Sequence, residues 1–458
     1  MPIESINPAN NKLLRTFEPL TDEAARQKIA LAEDAFRSYR NIPLDHRALW
    51  MRKLAAILEN ETEDLATLIT LEMGKPLEAS RLEILKCADA CRYFADNAAR
   101  ILVHESIPTE NYSYVRWDPL GIVLAVMPWN FPFWQVFRFL APALMGGNVA
   151  LLKHAASVPQ CALAIESLVR RAGFPRGAFQ SLLLEIHQVE TILADQRIAA
   201  VTVTGSEVAG RAIGAQAGWL LKKSVLELGG SDPFIVMPSA NLDLAVETAV
   251  RARLVNAGQS CIAAKRFIIA DEIYDAFESR FVVEMESVRV GDPMKEGTEI
   301  GPLATVRAVE LLEAQVKAAT RVGARILTGG ERMLGEGNYF EPTVLTGVPR
   351  TSAVYREEIF GPVAMLFRAT DINNAIEIAN DTPFGLAASA WTRDPAEQQR
   401  FVAELQCGAV FLNAMVASDP RLPFGGIKRS GYGRELSATG MREFLNAKTV
   451  VIAAARQR

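Results

Sequence analysis

The sequence predicts an α/β protein of two or three domains built around parallel sheets, and three observations carry that prediction. Beyond Leu120, short apolar stretches at 122–126, 149–152 and 199–203 alternate with helical stretches near 133–145 and 158–171. Such a βαβαβ rhythm makes a parallel sheet covered on both faces. The alternation resumes past Leu228-Gly229-Gly230, with a strand at 233–237, a helix from Asp243 and a strand at 266–270. The length, 458 residues, also exceeds what one compact core holds.

The first hundred residues read as helix. From Thr21, apolar Ala25, Ile29, Ala32 and Phe36 recur at helical spacing, with Asp22 and Glu23 in the first turn, where they suit the helix dipole. A second helix begins near His46 and carries Trp50, Leu54, Ile57 and Leu58; a third runs to Met73 and stops at Gly74-Lys75-Pro76. Tyr112-Ser113-Tyr114-Val115-Arg116-Trp117 alternates as a β-strand should. Later strands are expected at 363–367, 386–391 and 409–412. Thr449-Val450-Val451-Ile452-Ala453 is apolar and would leave an exposed edge if unpaired, so pairing of such edges across subunits is expected. There is no internal repeat and no low-complexity linker, and the domain boundary falls at Gly229-Gly230, where the chain can turn sharply.

Composition excludes several classes of function. Half the residues are hydrophobic and 22% are charged, as in an ordinary globular protein. A net charge of -4 with interspersed signs predicts neither nucleic-acid binding nor a basic membrane-binding face. The N-terminus has no basic region followed by an apolar stretch, so no secretory signal is expected. The longest apolar stretches, such as 121–127, are too short to span a bilayer. Five cysteines without paired spacing argue against a disulfide framework and suit a reducing cytoplasm. Cys87 and Cys91 share a helix face, but no histidine or second pair completes a metal site, so they read as core thiols. None of the four histidines stands at ligand spacing from another histidine or a cysteine, and no metal is expected.

Three segments carry chemistry. Asn256-Ala-Gly-Gln-Ser-Cys261 lies downstream of Leu226-Glu227-Leu228-Gly229-Gly230 and of Pro128-Trp129-Asn130-Phe131-Pro132. They supply a thiol, a carboxylate and an amide, the minimum kit for covalent chemistry on a carbonyl carbon. An isolated cysteine is more often structural, and a lone glutamate at a strand end is usually solvated. In this order and at these separations, however, the segments resemble the aldehyde dehydrogenase superfamily, and the resemblance runs from Asn7-Pro8 to Val451.

The resemblance implies a fold and a set of roles. Residues 1–104 and 120–229 would form a Rossmann-like NAD(P)-binding domain and 230–430 an α/β catalytic domain. Residues 105–119 and 443–458 would form a small β oligomerisation element of a homodimer or homotetramer. Cys261 would attack the aldehyde. The Asn130 side-chain amide and the Cys261 N–H would hold the resulting oxyanion, with such donors contributing about 3–4 kcal/mol each. Glu227 would be the general base that activates water once the thioester has formed, which requires burial to raise its pKa.

For the cofactor, no Gly-x-Gly-x-x-Gly follows the first strand. Instead Thr204-Gly205-Ser206 opens a helix, and free N–H groups there can bind a diphosphate. The resemblance gives Gly205 and Ser206 that role, assigns Lys153 to the adenosine ribose, and sets Glu358 and Phe360 at the nicotinamide ribose and ring. Trp129 and Leu228 belong to the same cofactor set. NAD-preferring members often carry a glutamate three residues after that lysine; Ala156 stands there, followed by Ser157. Without that carboxylate a 2′-phosphate meets less repulsion, so NADP is expected to be accepted, with NAD use left open.

Arg138 lies in an otherwise apolar helix, eight residues after Asn130. A buried arginine is either paired internally or kept for an anion. It matches a substrate-carboxylate arginine of succinate-semialdehyde dehydrogenases, where a two-pronged grip is possible. Trp134 precedes it on the same helix, and Ser418 matches a serine that assists there. A second arginine of some such enzymes is replaced by Val255. The reading is therefore oxidation of succinate semialdehyde or a relative, with another semialdehyde or a neutral aldehyde as the alternative. A CoA-acylating enzyme, a non-catalytic protein on the same scaffold and a cysteine hydrolase are the remaining rivals.

Overall fold

Two largely parallel sheets, each with its own hydrophobic core, organise most of the chain in a computed structural model that describes residues 2–453. Residues 454–458, the end of the expected oligomerisation element, lie outside the described residues, as does Met1.

The first sheet runs in the order Gly431–Tyr432, Lys223–Glu227, Ile198–Thr204, Ile122–Met127, Val149–His154, Phe179–Ser181. All neighbours are parallel except Gly431–Tyr432, which returns from the far end of the chain to pair antiparallel with Lys223–Glu227. Register aligns Thr204 with Glu227 and Val126 with both Val203 and Lys153. Residues assigned to chemistry thus gather at the carboxyl ends of parallel strands, where ligands of open α/β sheets bind. The strands are almost wholly buried and apolar, as a sheet covered on both faces requires.

The chain passes to the second sheet between Glu227 and Pro233. Its order is Arg325–Thr328, Thr343–Thr346, Val363–Ala369, Arg266–Ala270, Pro233–Val236, Ala387–Trp391, Ala409–Leu412. Only the first pair is antiparallel.

Three features go beyond the sequence reading. The N-terminus is a hairpin, Ile3–Asn7 against Lys12–Phe17, before the first helix at Asp22–Tyr39. The turn is chemically determined: the Asn7 side chain accepts from the Ala9 N–H at 2.9 Å, and Asn11 takes a left-handed φ of 56°. Second, the strand Leu445–Ile452 pairs with Tyr112–Pro119 of the same chain, in a three-stranded sheet with Glu105–Pro108. Its other edge stays open, with Val451 and Ile452 exposed. Third, the short edge strand Phe179–Ser181 joins the first sheet without a sequence signal.

Cys87 and Cys91 are buried core thiols on the Leu77–Ile101 helix. Among the described residues no helix is long and apolar enough to cross a membrane, and no acidic, histidine or cysteine group could hold a metal ion.

Candidate active site

The segment that carries the thiol leaves the Leu242–Leu254 helix through three consecutive left-handed residues: Asn256 (φ 54°), Ala257 (φ 54°) and Gly258 (φ 72°). Non-glycine residues in this region cost on the order of 1–3 kcal/mol each and persist only where their surroundings over-determine them. Those surroundings are present. Asn256 Nδ2 donates to the Asn130 carbonyl at 2.7 Å and to the Gln259 carbonyl at 3.2 Å. Gln259 Nε2 donates back to Asn256 at 3.2 Å, while its Oε1 accepts the Ala304 N–H at 2.9 Å. The fully buried Arg253 donates to the Gly258 carbonyl at 2.8 Å. Gly258 packs so closely on the Gly361 carbonyl that no Cβ would fit. Past the turn, Lys265 Nζ donates to the carbonyls of Ser260 at 2.8 Å and Cys261 at 2.7 Å.

Cys261 is half-buried at the end of this pinned segment. Burial pushes its thiol up to about 11, with Arg138 the strongest charge opposing the rise. It is therefore a thiol rather than a thiolate at neutral pH. Its backbone N–H makes no hydrogen bond among the described residues. Asn130, 4% exposed, donates one Nδ2 hydrogen to the Gln259 carbonyl at 3.0 Å. A primary amide has a second hydrogen. The two donors expected to hold an oxyanion are thus both available, on segments tied together by Asn256.

Glu227 ends its strand 2% exposed, and neither carboxylate oxygen has a hydrogen-bond partner among the described residues. Burial holds its pKa well above the usual carboxylate range, Glu435 raises it further, and Arg138 opposes. Gly425 stands against Oε1, where any Cβ would collide with it. The resemblance gave Glu227 the role of general base for the thioester. It lies outside the lining of the cavity that Cys261 borders, in a buried cluster with Glu435 and Arg138.

That cavity measures about 250 Å³ and is lined by Cys261, Trp134, Arg138, Ser418, Lys86 and Phe131, among others. Arg138 is 2% exposed and ion-paired with the equally buried Glu435; its Nη2 donates to Thr204 Oγ1 at 3.1 Å, and its guanidinium stacks over Phe424. The internal pair weighed as the alternative for Arg138 is present, although the residue also lines the cavity. Two of its three nitrogens are engaged, so the expected two-pronged face is already partly used. Ser418 Oγ accepts from Trp134 Nε1 at 3.1 Å and from Lys86 Nζ at 2.8 Å.

Glu435 and Lys86 escaped the sequence reading. A buried arginine in an apolar helix signals that some carboxylate must meet it, without saying which. Lys86 sits in a helix with no motif around it.

Lys153, Gly205 and Leu228 stand at or just beyond the carboxyl ends of first-sheet strands, and Glu358 and Phe360 come from a loop that leads into the second sheet. Lys153 is buried at its strand end, where desolvation lowers its pKa, and no carboxylate pairs with it among the described residues. Ala156 is exposed and Ser157 half-buried just beyond. Ser206 caps the Glu207–Trp219 helix, its Oγ accepting the Ala209 N–H at 3.3 Å. The space where a Cβ of Gly205 would point is open. Leu228 packs on Gly210 of that helix. Glu358 Oε1 accepts the Gly230 N–H at 3.1 Å and lies 3.4 Å from Lys265 Nζ. Phe360 and Trp129 meet edge to face at 5.9 Å. An open helix N-terminus beside an unpaired buried lysine fits a dinucleotide diphosphate. The only histidine near these residues, His154, is buried between the carbonyls of Met127 and Pro132 and depressed to about 4, so it stays neutral.

The model of the aldehyde dehydrogenase family matches residues 1–450. The chain belongs to the aldehyde dehydrogenase family. Among its relatives, succinate-semialdehyde dehydrogenase NADP(+) 1 of Mycobacterium tuberculosis is 53% identical over 457 residues, covering 99% of this chain and 100% of the relative. The Mycobacterium leprae succinate-semialdehyde dehydrogenase NADP(+) is 53% identical over 459 residues, with 99% and 100% covered. Among solved structures, Gox0499, studied for cofactor and substrate selection, superposes with a TM-score of 0.98 at 40% identity, covering 99% of this chain and 100% of that one. Succinic semialdehyde dehydrogenase from Streptococcus pyogenes, in complex with NADP+, gives 0.97 at 36% identity, with 98% and 100% covered. The α/β architecture is that of an aldehyde dehydrogenase throughout.

Proposed function

We propose that this aldehyde dehydrogenase oxidises a carboxylate-bearing aldehyde, succinate semialdehyde first among them, to the acid with NADP, and with NAD less readily. The observation that carries the reading is the thiol of Cys261 opening into a cavity with two unused N–H donors beside it.

Cys261 sulfur forms a bond to the aldehyde carbon as its proton passes to water, and the oxygen gains negative charge. The second Asn130 amide hydrogen and the Cys261 N–H stabilise that charge where it develops. A nicotinamide dinucleotide held by the residues named below would supply the hydride acceptor, and loss of hydride from this carbon leaves a thioester on Cys261. Glu227 then removes a proton from water as the water oxygen attacks the thioester; the C–S bond breaks, the carboxylic acid is released and the departing sulfur is reprotonated to the thiol. Because no hydrogen bond holds the Glu227 carboxylate, it can turn towards the cavity for this step. Burial that raises its pKa makes it a stronger base once ionised.

Lys153 and Ser157 would hold the adenosine ribose and its 2′-phosphate, Ala156 making room for that charge, and Gly205 with Ser206 would hold the diphosphate. Glu358 and Phe360, flanked by Trp129 and Leu228, would meet the nicotinamide end. Trp134, Arg138 and Ser418 would surround the substrate. The first sheet then serves the cofactor and supplies Asn130 and Glu227, and the segment that leads into a strand of the second sheet supplies Cys261. The open edge of Leu445–Ile452 and the free thiols support a homodimer or homotetramer in a reducing cytoplasm.

The test is reduced-nicotinamide formation from succinate semialdehyde, with NADP and NAD run separately and Cys261→Ala as control. Turnover lost in the variant and faster with NADP is the expected result. Turnover that requires CoA would establish the acylating rival, and oxidation of neutral aldehydes alone would discard the semialdehyde reading.

A further inference from the structure

We infer that Lys265 is a positioning residue of the oxyanion site: its ammonium fixes and polarises the Ser260–Cys261 peptide so that the Cys261 N–H faces the cavity. The inference rests on the reading of Cys261 as the acylated nucleophile and names the residue that prepares one of its two donors.

A peptide unit is planar and trans, so its C=O and its N–H point in opposite directions. The Ser260 carbonyl and the Cys261 N–H belong to one such unit. Lys265 Nζ donates to that carbonyl at 2.8 Å and to the Cys261 carbonyl at 2.7 Å. One ammonium thus holds the peptide planes on both sides of the nucleophile's Cα. The Cys261 carbonyl is also boxed in from the other side, since a Cβ on Gly230 would stand 2.8 Å from its oxygen. Lys265 is fully buried and does not line the cavity, whereas Ser260 and Cys261 both border it. The Ser260 carbonyl therefore turns to the interior behind the segment. The Cys261 N–H, which makes no hydrogen bond among the described residues, turns the other way.

The ammonium is itself anchored. Glu358 Oε1 lies 3.4 Å from Lys265 Nζ and accepts the Gly230 N–H at 3.1 Å, which ties the cation to the turn after Glu227. Lysine has three donors and no acceptor, and here they face three oxygens. Rotating the Ser260–Cys261 peptide would turn an N–H against the cation and take an acceptor from a fully buried charge, which is costly. The cation thus selects the orientation in which the N–H looks into the cavity. The same contact acts on the strength of the donor. A cation on the carbonyl oxygen draws electron density from the peptide nitrogen and makes its N–H a better donor, as linked hydrogen bonds polarise one another.

The experiment compares two reactions of the Cys261 thiol without cofactor, in wild type and Lys265→Met, each rate being the part that Cys261→Ala loses. In the first, para-nitrophenyl acetate acylates the thiol. The sulfur–carbon bond forms, the sulfur proton passes to water, the carbonyl oxygen gains charge, and nitrophenolate leaves as its bond to that carbon breaks. In the second, iodoacetamide alkylates the same sulfur with loss of iodide and a proton, and no oxyanion forms. Removing an oxyanion donor outright costs about 10²- to 10³-fold. Weakening one through its peptide should therefore slow the first turnover of nitrophenolate about tenfold to a hundredfold more than it slows alkylation at the same pH. Burial raises the thiol, and Lys265 follows Arg138 among the charges that oppose the rise, so the variant affects both reactions through acidity, and the ratio removes that part. Acylation and alkylation slowed by the same factor, or neither slowed, overturns the assignment while leaving the nucleophile reading intact. Wild type that is alkylated at Cys261 yet releases no nitrophenolate overturns both. Should Lys265→Met not fold, Lys265→Gln, which also removes the charge, is held to the same criteria.

Discussion

The thiol and the carboxylate of this site are held in opposite ways. Cys261 follows three left-handed residues locked by Asn256, Gln259, Arg253 and Lys265. Glu227 is more deeply buried, yet among the described residues neither of its oxygens is hydrogen-bonded. In the proposed mechanism Cys261 attacks a carbon whose oxygen must land between fixed donors, so a shift of its segment would forfeit the alignment on which stabilisation depends. In the same mechanism Glu227 acts later on a mobile water, and an unanchored side chain can move to reach it. Rigidity is placed where the charge develops, and freedom where a proton is collected.

The contrast can be broken at either end. The largest effect is expected from Glu227→Gln: kcat should fall about 10²- to 10⁴-fold while the first turnover of reduced cofactor persists as a burst. Loss of the burst as well would place Glu227 in acylation. Asn130→Ala should cost about 10²- to 10³-fold in kcat, the usual effect of removing one oxyanion donor. It should also slow the burst, which separates it from Glu227→Gln in rapid-mixing kinetics.

The buried cluster behind the cavity gives a stability test. Arg138→Met leaves Glu435 buried without its partner, an uncompensated charge worth about 3–5 kcal/mol, and should lower the denaturation midpoint of the apo-enzyme. Replacing Arg138 and Glu435 together by apolar residues should recover much of that loss. A single mutant as stable as wild type would show that the pair is not formed in solution.

The smallest effect concerns pH. Glu227 is raised above the ordinary carboxylate range, so it is protonated and inactive as a base at low pH. Deacylation should therefore accelerate as pH rises through the raised value, and Glu227→Gln should remove that dependence. A deacylation rate flat across the neutral range in wild type would argue for another base.

Much of this was legible in the sequence because the decisive residues sit in short motifs at strand ends. Glu227 before two glycines, Asn130 after a strand and Ser206 opening a helix each read from their own neighbours. Lys86 and Glu435 did not. Lys86 meets Ser418 across 332 residues, and Glu435 reaches Arg138 only because Gly431–Tyr432 returns to the first sheet. Burial of charge is a demand that sequence exposes, whereas the partner that answers it is fixed by topology. The N-terminal hairpin was overrun by the helical reading because its turn rests on a single asparagine side chain and one left-handed residue.

The most direct test of the site is to trap the acyl-enzyme. Glu227→Gln mixed with NADP and succinate semialdehyde, quenched in acid and digested, should yield the peptide containing Cys261 heavier by one succinyl group. An unmodified Cys261 peptide, or the same adduct on Cys407 instead, would contradict a mechanism in which a pinned thiol is acylated and an unpinned carboxylate releases it.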